Sequence, residues 1–262
     1  MKNNLSNVFL FLVLFNSNRI EVIVEVCCAS LKSVENAALA GAHRVELCSG
    51  LELGGITPSK GLLEEAVGLN LIDVHCLIRP RAGHFFYSAE EKKIIEKDIQ
   101  TALKIGCKGV VIGGLTADFQ LDLSALKYWK QLAGDMYLTF HRAFDVVVNP
   151  VEALQQLIAL GFDCVLSSGQ QEKAMEGFEK LESWNSQFGR EILIMPGSGI
   201  NGSNCERFGF AGFNAIHFSG AAPKPKLKVP AGVNSKISFL NQEISESDVE
   251  KIRAVVQRLN AN

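Results

Sequence analysis

Residues 24–48 read VEVCCASLKSVENAALAGAHRVELC, and their pattern predicts the architecture of the chain. The phrase Val24–Cys27 returns as Val45–Cys48, and both copies alternate in the manner of a β-strand. Between them, Ser30–Gly41 begins with a capping serine and ends at a helix-stopping glycine, which predicts a helix. A strand, a helix and a second strand joined by short turns make the two strands parallel neighbours. The two cysteines are therefore expected side by side, at the C-terminal end of the sheet, where the sites of α/β folds gather.

The same alternation continues along the chain. Strands are predicted near residues 21–27, 44–48, 72–78, 109–113, 136–141, 163–167, 191–195 and 214–218. Helices are predicted at 30–40, 58–68, 88–105, 122–133, 149–160, 170–186 and 201–208. Eight strands alternating with helices, at spacings of about 20 to 40 residues, is the count for a (β/α)8 barrel. The main alternative, an open doubly wound sheet, needs a glycine-rich fingerprint after its first strand, where this chain has Cys27-Cys28-Ala29-Ser30. We therefore expect an α/β fold, a TIM barrel in a single domain.

The two ends of the chain depart from this pattern. Residues 8–15, VFLFLVLF, form an apolar run that is too short to span a bilayer, which takes about 20 residues. Because no A-x-A cleavage site follows, we interpret residues 1–19 as an N-terminal extension outside the fold, with export as the alternative. The barrel is expected over residues 20–262. It is expected to end in a helix over Ser245–Leu259, after the Pro/Lys-rich segment Ala222–Pro230.

Charge and cysteine usage restrict the partners and the compartment. A net charge of -2 gives no reason to expect nucleic acid or an anionic membrane as a partner. The seven cysteines are an odd number, without C-x-x-C pairs or zinc-ribbon spacing. This usage favours a reducing cytoplasm over a disulfide framework.

The cysteines at the ends of the first two strands are candidate metal ligands. Thiolates on adjacent strands stand about 4.8 Å apart, and soft thiolate ligands select Cu(I). Cys27 and Cys48 are therefore the first pair, and Cys28 could turn inward at the strand end as a third ligand. Two alternatives stay open: the cysteines are apolar core residues, or one of them is a nucleophilic thiolate flanked by arginines.

A second set of residues suits an anion. A Gly-x-Gly-Ile turn after the seventh strand and a Ser-Gly after the eighth resemble the backbone N–H groups with which many barrels hold a phosphate. Three arginines near the same strand ends add positive charge. The candidate residues for an anion are Arg79, Arg81, Arg142, Gly197, Gly199, Ser219 and Gly220. The alternatives are glycine turns without a ligand and arginines that pair with the inward carboxylates of Glu25 and Glu46.

Three residues are candidates for proton transfer. His141 and Asp145 follow the fifth strand and could form a general acid/base pair, although a strand-end histidine can also be purely structural. Glu25 points into the barrel by the period-two rule and could also move a proton. His75 and His217 lie in strand interiors or ends without a partner fixed by the sequence.

Taken in order, several segments resemble the CutC family of copper homeostasis proteins. The segments are Glu25-Val26-Cys27, Arg44–Cys48, Gly54–Ser59, Ile78–Arg81, Phe140–Asp145, Ser168-Gly169-Gln170 and Gly197–Ile200. The resemblance implies a (β/α)8 barrel in the cytoplasm, with copper bound through cysteines at the positions of Cys27 and Cys48. A thiol at Cys28, where many members have another residue, would strengthen a soft-metal site.

Two functions therefore stay open at the level of the sequence. The first is copper homeostasis, with Cu(I) as the bound ion. The second is an enzyme acting on a small phosphorylated or carboxylated substrate, for which copper would be incidental. The expected partner is thus a copper ion or a small anionic ligand. A homo-oligomer, a dimer through outer helices, is a further expectation.

Overall fold

Eight short parallel strands form one sheet in a computed structural model, which describes residues 21–260. The strands are β1 (Ile23–Cys28), β2 (Arg44–Leu47), β3 (Asp73–Leu77), β4 (Gly109–Ile112), β5 (Tyr137–Phe140), β6 (Cys164–Ser167), β7 (Leu193–Pro196) and β8 (Ala215–Phe218). Consecutive strands pair from β1 to β7, and β8 pairs with β1. A parallel bridge between Gly197 and His217 joins the two remaining edges. The predicted α/β fold, a (β/α)8 TIM barrel in one domain, is confirmed.

Helices occupy the connections between the strands. They are α1 (Leu31–Leu39), α2 (Lys60–Gly68), α3 (Ala89–Ile105), α4 (Leu123–Ala133), α5 (Pro150–Leu160), α6 (Phe178–Phe188), α7 (Cys205–Phe210) and α8 (Val249–Asn260). Local chemistry explains their ends. Ser30 caps α1 by accepting the N–H of Ser33, and Ser88 forms a capping box with Glu91 at the start of α3.

Three predicted helices begin at least four residues later than the sequence suggested, and the one predicted at 201–208 begins at Cys205. The helix predicted at 170–186 begins at Phe178, because the carbonyls of Gln171 and Glu172 accept side-chain donors from other loops instead of starting a helical ladder. The terminal helix begins at Val249 and not at Ser245. Ser245–Ser247 is a strand that pairs with Ala221–Pro223 in an antiparallel ribbon.

This ribbon takes up the start of the Pro/Lys-rich segment and the start of the expected terminal helix. Its strands are β9 (Ala221–Pro223) and β10 (Ser245–Ser247). The chain between them, residues 224–244, is almost entirely exposed. Asp248 then caps α8 by accepting the N–H of Lys251.

The two faces of each strand serve different layers. On β1, Val24, Val26 and Cys28 point outward into the main apolar core between the sheet and the helices. Glu25 and Cys27 point inward, as period-two alternation requires. The barrel interior therefore holds polar and ionisable groups, and the candidate site is built on it.

The predicted N-terminal extension, residues 1–19, lies outside the described residues. Within residues 21–260, no helix combines the length and the apolar composition that crossing a bilayer requires.

Candidate functional site

A cavity of about 290 Å³ opens at the C-terminal end of the barrel, where the loops after the strands meet. From the residues singled out in the sequence, its wall contains Cys27, Arg79, His141, Arg142, Gly199 and Ser219. Glu46 and His217 add two further titratable groups. The C-terminal face is thus where these side chains converge, as expected for a barrel.

The cysteines of β1 and β2 form a close pair of thiols. The Sγ atoms of Cys27 and Cys48 lie 3.6 Å apart, and both cysteines are free. The strand register pairs Cys27 with Glu46, so Cys48 lies two residues further along the chain, directly after the end of β2. Cys27 lines the cavity, whereas Cys48 is fully buried behind it. The two thiols are therefore neighbours, as expected, and the thiol of Cys27 faces the cavity.

A carboxylate and an imidazole accompany the thiols. The Cys27 thiol donates to Glu46 Oε1 at 3.4 Å. Cys27, Glu46 and His217 each offer a ligand atom, and these atoms all lie within 4.8 Å of one another. The hydrogen bond to Cys48, burial and the charge of Glu46 raise the pKa of Cys27 well above its usual value. Cys27 is thus a protonated thiol near neutral pH until something displaces its proton.

Glu25 lies below this cluster and is fully buried. Its carboxylate accepts from Arg44 Nε at 2.5 Å and contacts His217 Nδ1 at 2.8 Å. Burial alone would raise the pKa of Glu25, but the Arg44 charge and the His217 hydrogen bond outweigh it and hold that pKa far below its usual range. Glu25 does not line the cavity. It fixes the ring of His217 and leaves Nε2 for another partner.

The pKa values of Glu46 and His217 are both raised. Burial is the main cause for Glu46, and the nearby charge of Glu25 adds to it. For His217, burial lowers the pKa, but the charge of Glu46 and the hydrogen bond to Glu25 together raise it by more than burial lowers it. A carboxyl group and an imidazole, each of which holds its proton more strongly than usual, are therefore adjacent in the cavity.

Cys28 lies on the other face of β1. It is fully buried in the outer core, 4.0 Å from the hydroxyl of Ser247. Burial raises its pKa to about 12. The strand stays regular to its end, so Cys28 does not turn inward and is absent from the Cys27–Glu46–His217 cluster.

The three predicted arginines have three different roles. Arg79 lines the cavity and donates to the carbonyls of Leu53, Gly55 and Gly83. Arg81 lies outside the cavity wall and pairs with Glu91.

Arg142 lines the cavity and pairs with Asp145 at 2.7 Å. The alternative in which these arginines neutralise Glu25 and Glu46 is wrong, because Arg44 fills that place for Glu25.

His141 and Asp145 do not form a hydrogen-bonded pair within the described chain. Asp145 accepts instead from Arg142 and from the loop after β6, including the hydroxyl of Ser167 at 2.6 Å and the N–H of Ser168 at 2.9 Å. His141 Nδ1 accepts the N–H of Ala143 at 3.1 Å. Asp145 therefore binds two loops together, while His141 caps the short 3-10 helix that follows it.

The glycine turns lie at the predicted edge of the cavity. Ser198 and Gly199 both have left-handed backbones, with φ of 79° and 72°, and Gly220 has a φ of 56°. At Gly197 a Cβ atom would come within 2.5 Å of Leu166 Cδ1, so any other residue would force the buried Leu166 side chain to move. Gly199 and Ser219 line the cavity; Gly197 and Gly220 only shape the turns.

The sequence left three site residues unassigned: Arg44, Glu46 as a ligand-facing group, and His217. Period-two alternation sends Arg44 and Glu46 inward with Cys48, so an inward Arg-x-Glu-x-Cys run was the available signal. Nothing in the sequence could pair His217 with Glu25, because 192 residues separate them.

Comparison with known proteins gives consistent matches. A sequence profile described as the CutC family matches residues 22–222. A family protein CutC of Vibrio cholerae serotype O1 is 43% identical over 205 residues, covering 77% of this chain and 81% of the relative. A family protein CutC of Xanthomonas campestris pv. campestris is 38% identical over 236 residues, covering 90% of this chain and 98% of the relative.

Solved structures show the same similarity. A protein from Streptococcus agalactiae, named as a copper homeostasis protein CutC, superposes with a TM-score of 0.72 at 31% identity. The alignment covers 76% of this chain and 98% of that protein. A thiamine phosphate pyrophosphorylase from Pyrococcus furiosus has a TM-score of 0.56 at 13% identity and shares only the fold.

Proposed function

Because this chain belongs to the CutC family, we propose that it binds Cu(I) through the thiolates of Cys27 and Cys48 and serves in copper homeostasis. The name of the Streptococcus agalactiae relative supports the biological role. The observation that carries the chemistry is the 3.6 Å separation of the two sulfurs, of which that of Cys27 belongs to the wall of an open cavity.

The donor set fits a soft ion. Metal–thiolate bonds are about 2.3 Å long for zinc, so two sulfurs that share one ion lie at most about 4.6 Å apart. The observed separation of 3.6 Å lies within that limit. Two thiolates favour Cu(I), which also accepts an imidazole nitrogen. His217, which Glu25 orients, is a better candidate for a third ligand than Cys28, because Cys28 lies on the opposite face of β1.

The site residues bind the ion and control the protons it displaces. Both ligands coordinate as thiolates, so binding releases protons. Glu46 accepts the hydrogen bond of the Cys27 thiol and is the nearest acceptor for its proton. The proposed compartment is the cytoplasm, where thiols stay reduced; the seven free cysteines support it.

The test is an anaerobic Cu(I) titration of the reduced protein against a competing chelator. We expect one tightly bound ion per chain, lost in Cys27→Ser/Cys48→Ser and kept in the matched control Cys28→Ala, because Cys28 lies on the opposite face of β1 from the thiol pair. Circular dichroism confirms the fold of each variant. Stoichiometric copper in the double variant would contradict the proposal.

A further inference from the structure

Arg79 is a buried cation without a carboxylate partner in the described part of the chain. Its residue is 7% exposed, and its NH1 and NH2 groups donate to backbone carbonyls only. Its Nε makes no hydrogen bond of acceptable geometry among residues 21–260. Burial lowers the pKa of Arg79, and the buried Tyr87 hydroxyl lies close enough to oppose that shift but is itself left without a partner among the same residues. A buried charge is usually paired, so an unpaired one on a cavity wall points to an anion from outside the chain.

His141 presents a second donor without a partner on the same wall. Because its Nδ1 accepts the N–H of Ala143, the neutral ring carries its proton on Nε2. This residue is 4% exposed, and Nε2 has no partner among the described residues. Burial and the charge of Arg79 lower the pKa of His141 to about 3, so it remains a neutral donor.

One aromatic ring connects the two donors. Phe85 lies with its ring centroid 4.9 Å from the His141 ring and 5.1 Å from Arg79 Cζ. Phe85 also lines the cavity and is partly exposed. Because Arg79 Nε and His141 Nε2 are both buried, we expect a ligand oxygen to reach them only after Phe85 changes its rotamer, as side chains at binding sites commonly do.

We propose that the cavity binds the carboxylate group of a small organic acid, whose oxygens accept from Arg79 Nε–H and His141 Nε2–H. One positive charge and two N–H donors match a carboxylate, whereas a phosphate dianion carries more charge than this pair neutralises. The volume of about 290 Å³ lies at the lower end of ligand pockets, about 300–1,000 Å³, which suits a small acid. The inference does not depend on copper, because neither donor belongs to the Cys27–Glu46–His217 cluster.

The experiment titrates pyruvate, malate and inorganic phosphate into the metal-free protein. The ¹H–¹⁵N signal of His141 Nε2–H is followed by NMR, and affinities are measured by calorimetry. A carboxylate is expected to shift this signal saturably and to bind more tightly than phosphate. Absence of saturable carboxylate binding, or tighter binding of phosphate, overturns the assignment.

Two variants locate the binding. His141→Asn keeps a side-chain acceptor for the Ala143 N–H but removes the Nε2 donor. Arg79→Lys keeps the charge but removes Nε–H. Each is expected to weaken carboxylate binding about tenfold or more, the usual effect of losing a hydrogen bond to a charged group. The matched control Arg81→Lys lies outside the cavity wall and is expected to leave the affinity unchanged.

Equal affinities in Arg79→Lys and Arg81→Lys, or full affinity in His141→Asn, would overturn the proposal and leave Arg79 a purely structural residue. The Cys27→Ser/Cys48→Ser protein should still bind the carboxylate. Failure of copper binding and failure of acid binding are therefore separate results.

Discussion

His141 shows how one residue is controlled by its surroundings. Its ring packs on the backbone of Gly113, where any Cβ atom would lie 2.4 Å from the ring, and against Phe85. This packing removes water from the imidazole and keeps it neutral. The neutral form holds the loop after β5 by accepting the N–H of Ala143.

The free energy of unfolding should depend on pH because His141 stays neutral in the folded protein. The pKa of His141 falls from 6.5 to about 3 on folding, so below pH 6.5 the unfolded chain takes up a proton that the folded protein refuses. Stability is therefore lost as the pH falls. From about pH 7 to about pH 5, the wild-type protein should lose about 2 kcal/mol more than His141→Asn does. Urea unfolding at both pH values measures the difference. If the wild-type protein and His141→Asn lost the same stability over this pH range, His141 would take up a proton in the folded protein as readily as in the unfolded chain.

At the scale of elements, the first two strands and β8 meet around one buried carboxylate. Glu25 of β1 binds Arg44 of β2 and His217 of β8, and Arg44 lies over the ring of Tyr137 on β5. His75 of β3 lies 3.9 Å from the same carboxylate. Strands far apart in the chain are thus joined through a shared charge in the barrel interior.

Removing either partner of the Glu25–Arg44 ion pair should strongly destabilise the folded protein. Arg44→Met and Glu25→Gln are each expected to lower the free energy of unfolding by about 3–5 kcal/mol, because each removes one partner of a buried ion pair. The double variant should lose clearly less than the sum, since no charge is left unpaired. Chemical denaturation of the four proteins gives the coupling energy. Additive losses would mean that the pair is not coupled.

At the scale of the whole molecule, α8 closes the fold at the N-terminal end of β1. Ile252, Val255 and Leu259 are buried in the main core. The side chain of Asn260 bonds both the N–H and the carbonyl of Val22. The exposed connection at 224–244 takes little part in this packing: Leu227 is 88% and Phe239 is 67% exposed.

These two regions should respond differently to mutation. Ile252→Ala is expected to lower the free energy of unfolding by about 2–5 kcal/mol, as for other fully buried aliphatic side chains.

Replacing residues 226–242 with an Asn-Gly turn should leave the free energy of unfolding unchanged or slightly higher, because a shorter loop loses less entropy on closure. Thermal and urea unfolding compare the two proteins. A destabilised loop variant would show that this connection packs on the barrel.

Local patterns in the sequence are enough to predict the barrel and the inward direction of Glu25 and Cys27, because alternation and capping are properties of consecutive residues. The repeated phrase ending in Cys27 and Cys48 placed two thiols together, since neighbouring parallel strands leave little freedom. The partners of these side chains follow instead from the three-dimensional packing of the closed barrel. The stagger of the strands set Cys27 against Glu46, ring closure brought His217 to Glu25, and Arg44 took the place expected for the loop arginines. Such contacts join residues far apart in the chain, and their geometry depends on how the closed barrel packs.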